Sequence, residues 1–457
     1  MKLAPRFGTR GAVAVLLVLG SVLVAADALA ERIREIVVLE NYKTTAETVR
    51  YIAGVEEGDD WDEDQKAEVR AELVSSGLFK EVDLFAEPHP RGGVRLTIIA
   101  KDKHSWVVAP TFYNQPTNKG GGLGFGENNL FGENKKLLLY GQVATGDSFF
   151  VGAYVDPSIM GTPLSWQIDA FMRYERVIEY EAPVEMRSNL DPVRESMLMY
   201  LNGGAKVGVT LFRSLTVEQR MRAAKVAYYR TQLRAGKTEE DVGVAPGEPI
   251  PEPGDEGWDV STESILTFDR RSNWYGITRG ARLRLSIEQA LPPLGSDFDY
   301  WYATFHFDLA QRYFARHNLI LRGALGYGDD LPFQQEFTAG GPTLRGYENK
   351  EFRGDIRAGG NVEYSIPIFT LRGVAVRGLA FVDSSYISFT DNLDDNTFRN
   401  YLPHHGRRGL APFRNAAGGG LRIYVRQIVL PLLGLDVGYG IESREVEVYL
   451  AIGLTDF

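Results

Sequence analysis

The chain has 457 residues, 50 Lys plus Arg against 60 Asp plus Glu, and no cysteine. Without thiols there is no disulfide framework, thiolate metal site or cysteine nucleophile, and a formal charge of −10 argues against a nucleic-acid partner. Glycine (49) and tyrosine plus phenylalanine (22 and 24) are abundant, while the mean hydropathy of −0.19 is that of a soluble protein.

The first thirty residues read as a targeting segment. Lys2, Arg6 and Arg10 make a basic start, Gly11 to Ala26 is an uncharged apolar run, and Ala28-Leu29-Ala30 is a small-residue cleavage site. This is the pattern of a secretory signal removed after Ala30 or, because the apolar run is slightly long, of an uncleaved anchor; either takes the chain out of the cytoplasm. No later apolar run approaches the roughly 18–20 residues of a transmembrane helix. An exported chain rich in glycine and aromatics, without a helical span, fits an outer-membrane β-barrel, whose hydrophobic signal is hidden by alternation.

Residues 31–103 predict a small α+β domain. Ile33 to Leu39 is a β-branched strand. Thr44 and Thr45 can cap a helix to about Ala53, with Ala46, Val49 and Ile52 on one face. Asp62 opens a second helix with Ala67, Val69, Leu73 and Val74 as its apolar face, stopped by Ser75-Ser76-Gly77. Glu81–Ala86 and Val94–Ala100 are strands joined by the turn Pro88-His89-Pro90-Arg91-Gly92-Gly93. The order is β-α-α-β-β, and Gly77-Leu78-Phe79-Lys80-Glu81-Val82 resembles the "G-L/Y-F-x-x-V" signature of a POTRA domain, present once.

Residues 104–457 read as strands. Ala281, Leu283, Leu285 and Ile287 share a face opposite Arg282, Arg284, Ser286 and Glu288. Trp301, Ala303, Phe305, Phe307 and Leu309 oppose Tyr302, Thr304, His306 and Asp308. Leu421, Ile423 and Val425 oppose Arg422, Tyr424 and Arg426, and Val446, Val448, Leu450, Ile452 and Leu454 oppose Glu445, Glu447 and Tyr449. At about 22 residues per strand and connector, roughly 350 residues give about 16 antiparallel strands, an even number as in bacterial barrels. Residues 181–195, 234–257 and 391–412 break the pattern and predict long polar loops on the cell-surface side; the second, rich in Pro, Gly and acid, is not expected to pack. Gly120-Gly121-Gly122-Leu123-Gly124-Phe125-Gly126 has no following helix, so it reads as strand and turn glycine rather than a dinucleotide loop.

Four barrel stretches, with the POTRA-like domain before them, resemble the outer-membrane assembly and translocation superfamily, the BamA/TamA-like, bacterial-surface-antigen type. Asn128-Asn129-Leu130-Phe131-Gly132 resembles its "N-L-F-G". Phe268-Asp269-Arg270-Arg271-Ser272-Asn273, then Thr278-Arg279-Gly280, resembles "Y-D-T-R-D-N … P-T-R-G", with Ile277 in place of the proline. Gly340-Gly341-Pro342-Thr343-Leu344-Arg345-Gly346-Tyr347 resembles the "V-R-G-F/Y" loop. Asn361–Pro367 and Phe381–Ser385 resemble the two strands after it. In the first of these, Val362, Tyr364, Ile366 and Ile368 form the apolar face, so Glu363 points into the lumen with Asn361. In the second, Val376, Ala380 and Val382 face outward, which turns Arg377 and Asp383 inward. Arg345 on a loop entering the lumen can then meet Glu363 and Asp383, because its planar fork suits carboxylates. Such a lock either serves activity or only holds the loop in place. The C-terminal Phe457 resembles the insertion signal of outer-membrane barrels, although regular alternation would put it on the side of Glu445 and Glu447.

The resemblance implies a periplasmic POTRA domain and a barrel that closes between a strand near Trp106–Tyr113 and one near Val446–Phe457. Its expected role is insertion or translocation of other proteins through that seam. Expected partners are membrane lipid, unfolded outer-membrane or secreted clients, and periplasmic chaperones or accessory subunits. No enzyme activity, cofactor or metal is expected. A two-partner-secretion transporter and a plain structural pore are the alternatives.

Overall fold

The computed structural model describes residues 31–180, 191–212, 214–274, 276–314, 316–371, 373–390, 413–425 and 432–453. The targeting segment, residues 181–190, the polar stretch 391–412 and Phe457 lie outside the described residues. The chain divides into two compact units, one running to Ser105 and taking in Phe131–Asn134, the other holding the remainder.

In the first unit, β1 (Glu31–Leu39) precedes α1 (Ala46–Ala53), the short β2 (Asp60–Trp61) and α2 (Glu63–Ser75). The hairpin β3 (Phe79–Pro88) and β4 (Val94–Asp102) completes a sheet of order β2-β1-β4-β3, in which β1 and β4 are parallel. The caps are the residues that the sequence offers: Thr45 accepts from the Thr48 amide, and Asp62 from that of Gln65. Ile33, Val49, Leu73, Leu96 and Ile98 make the core. The apolar face of α2 is narrower than its sequence suggests: Val69 and Leu73 are buried, but Ala67 and Val74 are exposed. One helical stripe suffices because Leu78 and Phe79, just past the helix, are also buried in that core. Within the same unit the Thr45 amide donates to the Gly132 carbonyl at 2.9 Å, which gives the Phe131-Gly132 part of the Asn128–Gly132 motif its place.

The second unit is a closed antiparallel barrel of 16 full-length strands. They begin with β5 (Trp106–Gln115), β6 (Asn118–Leu130), β7 (Lys135–Ala144), β8 (Asp147–Asp156), β9 (Leu164–Tyr180), β10 (Pro192–Leu211), β11 (Leu215–Leu233) and β12 (Gly257–Asp269). The stub β13 (Ser272–Trp274) continues β12, and β14 (Ile277–Ala290), β15 (Trp301–Tyr313) and β16 (His317–Asp329) follow. After an inserted hairpin come β19 (Ile356–Leu371), β20 (Val374–Ser388), β21 (Arg414–Val425), β22 (Leu433–Gly440) and β23 (Val446–Ile452). The glycines at 120–126 lie inside β6. The Asp269–Arg271 motif stands where β12 breaks into β13: Arg271 pairs with Asp269 at 2.8 Å, and Gly280 takes φ +112 where a Cβ would strike the Arg270 carbonyl.

Alternation sets the two faces of the wall. Leu283, Leu285 and Ile287 on β14 and Val446 and Val448 on β23 are exposed outside. Inside, cross-strand ion pairs such as Arg220–Asp169 at 2.6 Å and Arg284–Glu263 at 3.4 Å line the lumen. A bulge between Pro367 and Phe369 shifts the register of β19, so Ile368 and Phe369 are both exposed. No helix among the described residues is long and apolar enough to cross a membrane, which says nothing of crossing by strands.

Strands β9, β10 and β11 run 17, 20 and 19 residues, well beyond the roughly 9–11 that span a bilayer. Residues 234–256 pack on this extension, contrary to the expectation from their composition. Val242 is buried with Val193, and Leu233, Val244 and Ile250 lie against them. Arg194 is fully buried, forked onto Glu179 at 2.6 and 2.8 Å, and also donates to the Pro251 carbonyl. A few apolar residues suffice because the neighbouring strands supply the other half of the core.

Phe307→Lys, outward on the middle of β15, is expected to destabilise the barrel by about 2–4 kcal/mol in lipid. His306→Lys, one residue away and inward, should cost far less. Urea unfolding of protein refolded into vesicles measures both.

Candidate functional site

The connector between β16 and β19 turns back into the barrel. It forms a short hairpin of β17 (Phe337–Ala339) and β18 (Phe352–Gly354), whose tip carries Gly340-Gly341-Pro342-Thr343-Leu344-Arg345-Gly346-Tyr347. Gly346 has φ +100, a left-handed value that a side chain resists, and a Cβ there would overlap the backbone of Gly440. Leu344 and Tyr347 are buried with Ala339, Phe352, Ile387 and Ala416 in a small core of their own.

Arg345 is 3 % exposed and spends its donors on two acids of the barrel wall. Its Nε and Nη2 fork onto Asp383 of β20 at 2.8 and 2.7 Å, and its backbone amide reaches the same carboxylate at 3.0 Å. Nη1 donates to Asp436 of β22 at 2.9 Å. Asp436 in turn takes a fork from Arg422 of β21 at 2.5 and 2.8 Å. The Phe381 ring lies 3.2 Å from the guanidinium carbon, a cation–π contact in a desolvated place. Glu363 stands further out, 3.8 Å from Arg345 and 3.6 Å from Arg322, within ion-pair range only. Both acids expected from sequence therefore surround Arg345, but Asp383 makes the hydrogen bonds.

Asp436, Arg422 and Tyr449 escaped the sequence reading. The inward face of β22 reads Asp436-Gly438-Gly440 between the outward Leu435, Val437 and Tyr439. A lone acid followed by two glycines is the available signal. The glycines make room: a Cβ on Gly438 would come within 2.8 Å of Arg345, and one on Gly440 would strike Ser443 and the Gly346 carbonyl. Across the wall, Gly420 of β21 leaves space for the Asp436 carboxylate.

The rest of the tip is held as tightly. Tyr347 donates to Glu442 at 2.5 Å or to the Asn415 carbonyl at 3.2 Å. On the other side of the lumen, Lys350 pairs with Glu175 of β9 and Tyr180 with Glu348. Counted round the ring from β5, β9 is the fifth strand and β20 the thirteenth, half the circumference of 16 apart. The loop is thus a strut between opposite walls. Arg353 stiffens it, bonding Glu336 at 2.9 Å with its guanidinium 3.6 Å from the centre of the Phe333 ring.

The ring closes between β23 and β5 through three described residue pairs, Leu450–Asn114, Ala451–Tyr113 and Ile452–Phe112. Residues 454–457, past the last of these pairs, lie outside the described residues. Pro110 of β5 bears on this junction. A Cβ on Gly453 would strike the Pro110 carbonyl, so that carbonyl points at the seam. A strand residue presents its N–H and C=O to the same side, and proline has no N–H to present. The β5 edge lacks a donor there.

A family model described as "Omp85 superfamily domain" matches residues 129–442, more than half of the chain. No curated protein matches the sequence. Among solved structures, BamA from Haemophilus ducreyi lacking POTRA domains 1–3 is similar at 16% identity and TM-score 0.63, covering 93% of this chain and 84% of that one. CdiB from Escherichia coli is similar at 14% identity and TM-score 0.61, covering 93% and 76%. CdiB from Acinetobacter baumannii is similar at 14% and 0.58, covering 93% and 74%.

Arg345→Ala strands Asp383 and Asp436 without their shared partner, and removing one member of a buried ion pair costs about 3–5 kcal/mol. Arg345→Lys should fall between wild type and alanine, because an ammonium cannot fork onto Asp383. Glu363→Gln should cost less than Asp383→Asn. Urea midpoints and the temperature at which folded gel mobility is lost report the order.

Proposed function

Because the chain belongs to the Omp85 superfamily, whose members are outer-membrane β-barrels, we propose that it inserts, assembles or translocates other proteins at the bacterial outer membrane. In this reading the N-terminal α+β unit lies in the periplasm, as a POTRA domain does. The seam between β23 and β5 carries the proposal. Among the described residues it has three pairs, and its β5 edge carries a proline that offers no donor. Strand edges with free N–H and C=O groups are templates for another strand. An unfolded client strand that pairs there satisfies its backbone before it meets hydrocarbon, where an unpaired polar group costs several kcal/mol. Chemical energy from a nucleotide is not needed, because strand pairing and burial of the client's apolar face in lipid supply the driving force.

The N-terminal unit fits the same logic. Its sheet ends at β2 on one side and β3 on the other, and a sheet edge captures an extended segment by adding it as a strand. Periplasmic chaperones or accessory subunits would deliver clients to it. The strut between β9 and β20 favours a lateral route over passage down the lumen, since a lumenal path requires both ends of the loop to let go. That weighs against a two-partner-secretion transporter and against an open solute pore.

Depletion of the protein should lower the levels of several other outer-membrane barrels, and a photo-crosslinker at Phe112 or Ile452 should capture their unfolded chains in cells. Loss of one secreted protein alone would favour the dedicated transporter. A change in solute permeability with neither loss would favour the pore.

A further inference from the structure

The lock and the seam meet at one hydroxyl. Tyr449 lies on β23, one residue before the first pair that this strand makes with β5. Its side chain is fully buried and points inward, and its phenol oxygen accepts from the Gly346 amide at 2.9 Å and donates to the Tyr347 carbonyl at 3.0 Å. The tip of the strut is thereby fastened to the last strand. The same hairpin adds Ser443, which donates to the Gly346 carbonyl at 3.2 Å, and Asp436, which binds Arg345. On its other edge β23 has only the three described pairs with β5.

From this we propose that Tyr449 is a positioning residue which couples the lumenal loop to the seam: the loop, while locked, holds β23 against β5, and release of the loop frees β23. Among the described residues Tyr449 makes the direct hydrogen bonds from the backbone of Gly346 and Tyr347 to β23, whereas Glu442, Ser443 and Asp436 act on the turn and on β22. The hydroxyl is a fitting link. It answers one donor and one acceptor on consecutive residues, so it reads the position of the Arg345-Gly346-Tyr347 backbone. For the seam's consequence in cells the proposal rests on the lateral-route reading above, but its test does not.

The chain has no cysteine, so an introduced pair is unambiguous. Leu450→Cys with Asn114→Cys reports the seam, and Val437→Cys with Val448→Cys, facing outward on β22 and β23, reports a neighbouring junction. Oxidation rates are measured on the full-length protein in outer-membrane fractions, with and without Tyr449→Phe. The expected result is a seam disulfide that forms at least about five-fold more slowly in the Tyr449→Phe background, the effect of losing even one of the hydroxyl's two hydrogen bonds, while the control pair and the folded gel mobility are unchanged. Arg345→Lys should slow the seam pair in the same way, and adding Tyr449→Phe to it should slow the pair little more. An unchanged seam rate overturns the proposal. So does equal slowing of both pairs, which would make Tyr449 a support of the whole wall. Should Tyr449→Phe fail to fold, the Arg345→Lys arm decides: seam-specific slowing supports the coupling, and its absence refutes it. Because no client takes part, the coupling can fail while client insertion stands, and the reverse.

Discussion

A guanidinium enclosed by a barrel has to find carboxylates, and Arg345 finds two that hold it by four hydrogen bonds counting its own amide. Much else in the C-terminal half follows from seating that group. The loop needs glycine at 346 to bring its backbone onto β22, and β22 needs glycine at 438 and 440 to receive it. Asp436 has to serve Arg345 and Arg422 together, which ties β21, β22 and the loop into one charge network. Replacing such a network by apolar residues need not weaken a protein, whereas breaking it does. Its value here is therefore one of position: it fixes where the loop is rather than adding much to the stability of the wall.

That position matters because of what else the loop touches. Its far end is held on β9 by Lys350 and Glu348, and its near end reaches β23 through Tyr449. A loop anchored on opposite walls, with one anchor on the strand that closes the ring, links the state of the lumen to the state of the seam. The seam lacks a donor at Pro110 on its β5 edge. A closed barrel is ordinarily a way to abolish edges; in the coupling proposed above, the loop acts from inside on the junction where this one closes.

Much of this could be read from residues alone. Period-two alternation told the inward face from the outward one on β14, β15 and β23, and the Leu344-Arg345-Gly346 turn stood out because no apolar wall accommodates it. Parity then aimed Glu363 and Asp383 at the same space. It could not rank them, since distance to a loop is a tertiary matter, and the hydrogen bonds go to Asp383 while Glu363 stays 3.8 Å away. Asp436 sat in the right phase all along, but nothing local distinguishes it from other inward charges. Composition misjudged residues 234–256 for a related reason. A segment so rich in Pro, Gly and acid carries too few apolar groups to fold alone, yet Val242 needs only Val193 on the adjoining strand, and the Pro251 carbonyl only the buried Arg194. Strand length was equally illegible, because alternation continues past the point at which a bilayer would end.

The central claim is that Arg345 and Asp383 act as one unit. A double-mutant cycle of Arg345→Ala and Asp383→Ala, read as unfolding free energy in vesicles, isolates it. The account predicts that the double variant is about 1.5–3 kcal/mol less destabilised than the sum of the singles. Additivity within about 0.5 kcal/mol would mean that the two side chains do not depend on each other, and would contradict it.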